Sequence, residues 1–476
     1  MSLQYLLAKS KCARFLAVRQ VTQLNTSKRT AGVDHVKLLD PKNRVILAEE
    51  LKSVSSWKHS KLRRVYIPKP DGDKRPLGIP TLRDRAAQYL LKYCLEPVHE
   101  AQASSGSFGF RPGRSSHDIQ KKIFIQLRSS SGGTKKRILE LDIEKCFDKI
   151  DQEKLMSLVT LHPSLKKFLG RALREGGLGE RIKTLEDITQ GGVISPLLAN
   201  IALSGIEDIH NESVGEPKEI QNGFRYADDM VFFLKKDDDP DILRNKIDMF
   251  LTSRGLKVKK SKTQLVNSTD GFDFLGWTFK VGNKRFRSYP SKDSMANMMG
   301  RIKYLMRDST YTIDERLDMV KVHYKGWFNY NKYCDLSEVN LYAINIWTHK
   351  YLRSKTKMLT EKVNSECKKI FSDHTRSVNA HIAVKGKKSI YDGDLIYWAK
   401  RNNYRFDGPL SRTLKVQKFK CLKCNLTLLP NDIIELHHID GNNENYKVKN
   451  LSVLHRSCHH YQKIHSFKSL QKVQPK

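Results

Sequence analysis

A chain of 476 residues is long enough for two or more domains with real cores. Its 86 Lys and Arg against 51 Asp and Glu leave a formal net charge of +35, an excess that suits a polyanion such as nucleic acid and argues against small acidic metabolites as the main partner. No run of roughly 18 apolar residues is present to span a bilayer, and five of the eight cysteines are scattered, a pattern of reduced thiols and not of a secreted disulfide framework.

Residues 1–33 carry Arg, Lys and Ser but no acid, the composition of an organelle transit peptide. Residues 63–80 read as two short strands joined at Pro70-Asp71-Gly72. That spacing sets Lys69 and Arg75 on neighbouring strands, where two cations could clamp a triphosphate; a solvated basic hairpin is the alternative. In Ser107-Phe108-Gly109-Phe110-Arg111-Pro112-Gly113-Arg114 the glycines allow close backbone approach to a ligand, and Arg111 and Arg114 are candidates for nucleic-acid phosphates. The alternative is an ordinary loop with a buried Phe pair.

Residues 137–151 read as a strand that ends on Asp142 and passes into a helix, with Asp148 and Asp151 assigned to capping or charge pairing. In residues 190–200 a Gln190-Gly191-Gly192 turn precedes Ser195 as a helix N-cap and Pro196 at the first helical position. Residues 224–233 form an apolar, aromatic run interrupted by Asp228 and Asp229, which a hairpin would place at its tip. Taken alone, two adjacent acids are more often a solvated turn. Carboxylates brought together from separate strands can hold two Mg²⁺ ions roughly 4 Å apart for phosphodiester synthesis. Asp142 and Asp228 are then the expected main ligands, with Asp229 as the third carboxylate.

The acid-ended strand, the glycine turn before a helix and the Tyr226-Ala227-Asp228-Asp229 hairpin, in that order, resemble the palm of reverse transcriptases. Residues 16–23 and 30–34 resemble the segment before the fingers in group II intron-encoded reverse transcriptases, which implies a folded N-terminus and no cleaved address. Relatives usually begin further upstream, so a shortened RNA-binding extension or a misassigned start is expected. The resemblance makes Lys69 and Arg75 the fingertip over the incoming nucleotide. It makes Phe147, five positions after Asp142, an aromatic gate against a ribose 2′-hydroxyl, with a core phenylalanine as the competing reading. Gln190 and Gly191 would line the nascent base pair, and Asn200 would be structural. Residues 255–263 and 271–277 match the closing palm motifs, the second as a hairpin near the primer 3′ end. Lys260 departs from the family there, standing where Asn is common.

Residues 281–420 hold 29 Lys or Arg against 13 Asp or Glu over helical patterning, with Trp327, Phe328 and Tyr330 spaced to pack one helix face as core. The resemblance implies a thumb that grips RNA; solvated helical faces explain such charge almost as well. Beyond them, Cys421/Cys424 and His455/Cys458 are two x₂-spaced pairs suited to tetrahedral Zn²⁺ in a closed Cys₃His site. A zinc knuckle that only binds nucleic acid is the alternative. His437-His438, Asn450 and His459 resemble the HNH endonuclease signature. It implies His438 as general base, His437 and His459 as ligands of one divalent catalytic metal, and Asn450 as the loop brace.

The expected fold is α+β: a right-hand polymerase with fingers, palm and helical thumb, followed by a small ββα-metal HNH zinc domain. The expected divisions are 1–60 before the fingers, 61–290 fingers and palm, 291–405 thumb or maturase region with a DNA-binding linker, and 406–476 nuclease. The resemblance implies RNA-directed DNA polymerase, maturase and HNH endonuclease activities that serve intron splicing and mobility by target-primed reverse transcription. The alternatives are a domesticated maturase that binds intron RNA without polymerising, and an enzyme of another retroelement or defence lineage. Implied cofactors are two Mg²⁺, one structural Zn²⁺ and one divalent ion in the HNH site. Implied partners are intron RNA, target DNA and deoxynucleotides, with a homodimer allowed and no membrane. The implied location is a bacterial cytoplasm or an organelle.

Overall fold

The computed structural model describes every residue except 1, 38, 69–73, 177–191, 216–220, 283–284, 338, 372–380, 404–405, 407, 430–431 and 472–476. Ser10 separates helix α1 (Ser2–Lys9) from α2 (Lys11–Arg19), and its hydroxyl accepts from the Ala13 amide as an N-cap. Both helices pack on α4 (Leu82–Gln102), and α3 (Pro41–Glu50) packs on α2, burying Ala17, Leu47 and Leu91. The acid-free N-terminal stretch is thus built into a core.

Between α3 and α4, strands β1 (Arg63–Pro68) and β2 (Lys74–Ile79) form the expected hairpin, with Arg75 placed opposite Ile67 by its backbone. Lys69, Gln190 and Gly191 lie outside the described residues. Helix α5 (Ser116–Leu127) starts at a reciprocal capping box between Ser115 and Asp118.

The largest sheet comprises β3 (Arg137–Leu141), β4 (Gly223–Tyr226), β5 (Asp229–Leu234) and β6 (Gln264–Asn267) in the order β4-β5-β3-β6, antiparallel throughout. Side chains alternate along a strand. Accordingly Leu139, Leu141, Met230, Phe232 and Leu234 bury one face in the core shared with α4, while Ile138, Val231 and Phe233 bury the other with Ile119 and Ile123 of α5. The helices that flank the sheet in sequence are α6 (Cys146–Lys149), α7 (Gln152–Leu158), α8 (Pro163–Gly176), α9 (Ser195–Ala202), α10 (Ile209–Ser213) and α11 (Pro240–Thr252). Asp151 caps α7, accepting from the Lys154 amide at 2.6 Å. Ser195 is not the cap of α9: Ile194 is, because its carbonyl accepts the first i→i+4 bond, from Leu198 at 3.1 Å.

A second sheet, β7 (Phe272–Phe274), β8 (Trp277–Val281) and β9 (Phe286–Pro290), begins with a hairpin whose turn residues Leu275 and Gly276 both have positive φ, 52° and 78°, as a tight two-residue turn requires. Four helices follow: α12 (Lys292–Arg307), α13 (Ile313–Asn331), α14 (Tyr342–Lys355) and α15 (Thr360–Phe371). Their core contains Met298, Ile302, Val320, Tyr324, Leu352 and Val363. Trp327 packs against this core and donates its indole N–H to Ser294 at 3.1 Å, Phe328 is buried, and Tyr330 stacks on Trp277 at 4.5 Å.

Residues 381–403, which fall in the expected thumb and DNA-binding linker region, are fastened to α4 and α5. The Val384 amide and Arg401, on α16 (Leu395–Asn403), both donate to the buried Asp118 carboxylate, at 2.9 and 2.5 Å, and Tyr391 donates to Glu96 on α4 at 2.8 Å. The terminal unit contains α17 (Gly408–Val416), the antiparallel pair β10 (Ile434–His438) and β11 (Leu451–His455), and α18 (Arg456–Gln471). This is the expected ββα order. Among the described residues no helix is long and apolar enough to cross a membrane.

The loop before α5 corrects another expectation. Arg111 is buried and paired with Glu100 through two bonds of 2.9 Å, while Arg114 is buried and donates to the carbonyls of Gly386 and Lys388. Neither guanidinium faces outward to a phosphate; both knit loops together.

Candidate functional site

The β4–β5 turn is held from below by one buried cation. Arg225 is 1 % exposed and donates to Glu207 at 2.6 Å, to Ser107 and Asn200 at 2.9 Å each, and to the carbonyl of Ala227 at 2.9 Å. The last bond steadies Ala227 at φ 60°, a left-handed conformation uncommon for a residue with a side chain. Asn200 passes the support on, donating to the Gly109 carbonyl at 2.9 Å, which bears out its structural reading. A Cβ on Gly109 would lie 2.3 Å from the Ala227 amide nitrogen, so the backbone that this glycine admits is the turn itself.

On this platform the structure brings the sequence-predicted acids together. Leu141 pairs with Met230, so Asp142 and Asp229 end neighbouring strands, and alternation gives them the face of Ile138 and Val231. Lys262 places its ammonium 3.0 Å from Asp142, while the Lys259 amide donates to the Asp142 carbonyl at 2.8 Å. The Asp229 carboxyl is pushed up to about 6, first by lost hydration and then by the charges of Asp228 and Asp142, against the opposing pull of Lys262. Asp229 is nonetheless exposed, so the direction of this shift stands and its size is tempered by solvent. Lys262 is held above its usual range by the hydrogen bond to Asp142 and by the same three charges. Carboxylates gathered in this way are the hard oxygen donors that divalent ions such as Mg²⁺ take. Phe147 is half-buried beside Phe110, their rings meeting edge-on at 6.5 Å.

The sequence reading passed over Lys262 and Arg225. Arg225 did carry a signal, a charge inside an apolar strand. Lys262 did not, because three lysines crowd residues 259–262 and only the fold selects one.

In the terminal unit Cys421, Cys424, His455 and Cys458 offer ligand atoms that all lie within 4.8 Å of one another, as four ligands of one Zn²⁺ about 2.3 Å away must. His455 turns Nδ1 toward the Cys424 sulfur at 3.4 Å and Nε2 toward Asp432 at 3.3 Å. That carboxylate is the outer partner a metal-bound imidazole needs. The set fits Zn²⁺.

A second pair repeats the arrangement. His459 meets Glu435 through Nδ1 at 2.6 Å and His437 Nδ1 through Nε2 at 3.1 Å. Burial and the neighbouring His459 lower the His437 pKa, favouring the neutral ring that a metal binds. His438, one residue on, points to the opposite face and meets Tyr446 edge-on, its Nε2 buried without a hydrogen-bond partner. Asn450 spans the connecting loop, donating to Asp440 at 2.8 Å and accepting from the Asp440 amide at 3.0 Å.

Comparisons with known proteins bear on the part of the chain that holds the sheet and its acids. Residues 67–279 match the family described as reverse transcriptase (RNA-dependent DNA polymerase), and residues 1–51 match the N-terminal domain of reverse transcriptase. The fold and its carboxylate-bearing hairpin therefore define a reverse-transcriptase domain. Maturase-like protein 1 of Euglena gracilis is 34% identical over 353 residues, 73% of this chain and 74% of the relative. Group II intron-encoded protein LtrA of Lactococcus lactis is 25% identical, covering 60% of this chain and 58% of its own length. The chain belongs to the group II intron-encoded reverse transcriptase/maturase family. Telomerase from Candida albicans, solved with a telomeric RNA fragment, superposes with a TM-score of 0.35 and 16% identity over 67% of this chain, which spans 62% of that protein.

Proposed function

We propose that the chain is an RNA-directed DNA polymerase that also binds its intron RNA as a maturase and nicks DNA through its C-terminal histidines. The observation that carries the polymerase reading is the convergence of Asp142, Asp228 and Asp229 beside Lys262 at one end of a single sheet. Mg²⁺, when bound, supplies Lewis acidity at the attacking primer hydroxyl and at the leaving group. Asp142 and Asp228 hold the ions as main ligands and Asp229 as the third carboxylate. Lys262 balances part of their charge. Lys69 and Arg75 clamp the triphosphate of the incoming deoxynucleotide, Gln190 and Gly191 line the new base pair, and Phe147 excludes a ribose 2′-hydroxyl by occupying its place.

In the terminal unit Cys421, Cys424, His455 and Cys458 hold Zn²⁺ as a structural clasp. His437 and His459 hold one divalent ion, Asn450 braces their loop, and His438 takes a proton from the attacking water. A nicked DNA target then offers a 3′-hydroxyl from which intron RNA is copied, in a bacterial cytoplasm or an organelle. The second reading is a maturase that binds RNA without polymerising. The word maturase in the names of the Euglena relatives favours it, and the intact carboxylate trio argues against it.

The two sites are tested by opposite substitutions. Asp142→Ala should abolish primer extension and leave DNA nicking intact, whereas His438→Ala should do the reverse. Loss of both activities by either variant, with its melting temperature unchanged, would refute two independent sites.

A further inference from the structure

A cavity of about 690 Å³ has none of the carboxylates or histidines assigned above among its lining residues. Its walls come from α5, β9, the residues that follow α13, and His381. Phe124 and Phe286 meet edge-on at 5.4 Å, and Tyr333 adds a third ring. Lys121, Arg128, Arg285 and Arg287 supply four cations against one acid, Asp335, which lies 3.7 Å from Arg285. The rings are half-buried, while Arg128 is exposed and the Arg285 side chain is 70% exposed, so an aromatic interior gives way to a cationic rim. The volume is within the roughly 300–1,000 Å³ usual for a site that encloses a small ligand.

We propose that this cavity takes one unstacked nucleotide of an RNA chain. The base lies against Phe124, Phe286 and Tyr333, and the flanking phosphates lie on the cationic rim. Rings accept the face of any base and the cations follow the backbone, a combination suited to single strands and not to the closed stack of a duplex. Folded RNA presents such bases in loops and bulges. The proposal rests on the reading that RNA is the partner, but it needs no polymerase activity.

The test uses the full chain and a short single-stranded RNA carrying 4-thiouridine, with photocrosslinks mapped by mass spectrometry. Crosslinks should fall on peptides containing Phe286 or Tyr333, persist in Tyr333→Phe and vanish in Tyr333→Ala. Arg128→Glu combined with Arg285→Glu should weaken RNA binding by tenfold or more and flatten the slope of log affinity against log salt by about 1.4, the share of two phosphate contacts on a single strand. Crosslinks confined to other surfaces, or an unchanged slope in the double variant, would overturn the proposal. So would equal labelling of DNA of the same sequence, or displacement of the RNA by adenosine monophosphate alone. Primer extension by the unsubstituted chain separates the two readings. Crosslinking here without extension supports the cavity and removes the polymerase; extension without crosslinking here removes the cavity alone.

Discussion

Arg225 shows how much of the platform under the acids depends on single buried residues. Next to it lies His99, 7% exposed, whose Nε2 has no hydrogen-bond partner and whose pKa is lowered to about 3 by burial and by the charges of Arg111 and Arg225. The folded ring is neutral, whereas in the unfolded chain it titrates near its ordinary 6.5. As pH falls below that value the unfolded state binds one proton more, and stability drops by about 1.4 kcal/mol per pH unit until the folded ring also titrates. His99→Leu should therefore flatten the decline of the denaturation midpoint between about pH 6 and 4. An identical slope in both chains would show that His99 is not the group responsible. At this scale the sequence disclosed the acids, because Asp142, Asp228 and Asp229 announce themselves by type and spacing. It hid their supports, because Glu207 and Ser107 reach Arg225 only through the fold.

Among the elements, hairpins were the most legible, since residues 63–80, 224–233 and 271–277 read as hairpins from their residues and the strands pair in that way. What sequence does not reveal is which way a loop arginine points. Arg111 turned inward because Glu100, on α4, waits there to pair with it. The course of residues 381–403 was equally hidden, since its anchor Asp118 lies more than 260 positions earlier. Burial pushes the Asp118 carboxyl up, but His381 and Arg401 overcome this and hold it below the usual carboxylate range. Breaking such a buried pair costs about 3–5 kcal/mol. Asp118→Ala should thus open residues 381–403 to limited proteolysis under conditions where the parent resists; equal resistance would contradict the anchoring role. The terminal unit has few buried apolar residues of its own. If Zn²⁺ at Cys421, Cys424, His455 and Cys458 holds it together as proposed, Cys421→Ser or chelation should release the metal and unfold the unit. Stoichiometric zinc retained by the variant in elemental analysis would exclude the Cys₃His site.

Across the whole molecule, a net charge of +35 pointed to nucleic acid before any motif was considered. The motif order then specified the polymerase hand, and the described residues contain its palm sheet with the acids at one end of neighbouring strands. Activity separates a polymerase from a maturase of the same fold that binds RNA without polymerising. The most direct measurement is primer extension on an RNA template in Mg²⁺ by the purified chain and by Asp228→Asn. The parent should extend the primer and the variant should do so at least about a hundredfold more slowly, with RNA binding preserved in both. No extension by a parent chain that binds the RNA, or equal extension by the two chains, would contradict catalysis by this carboxylate cluster.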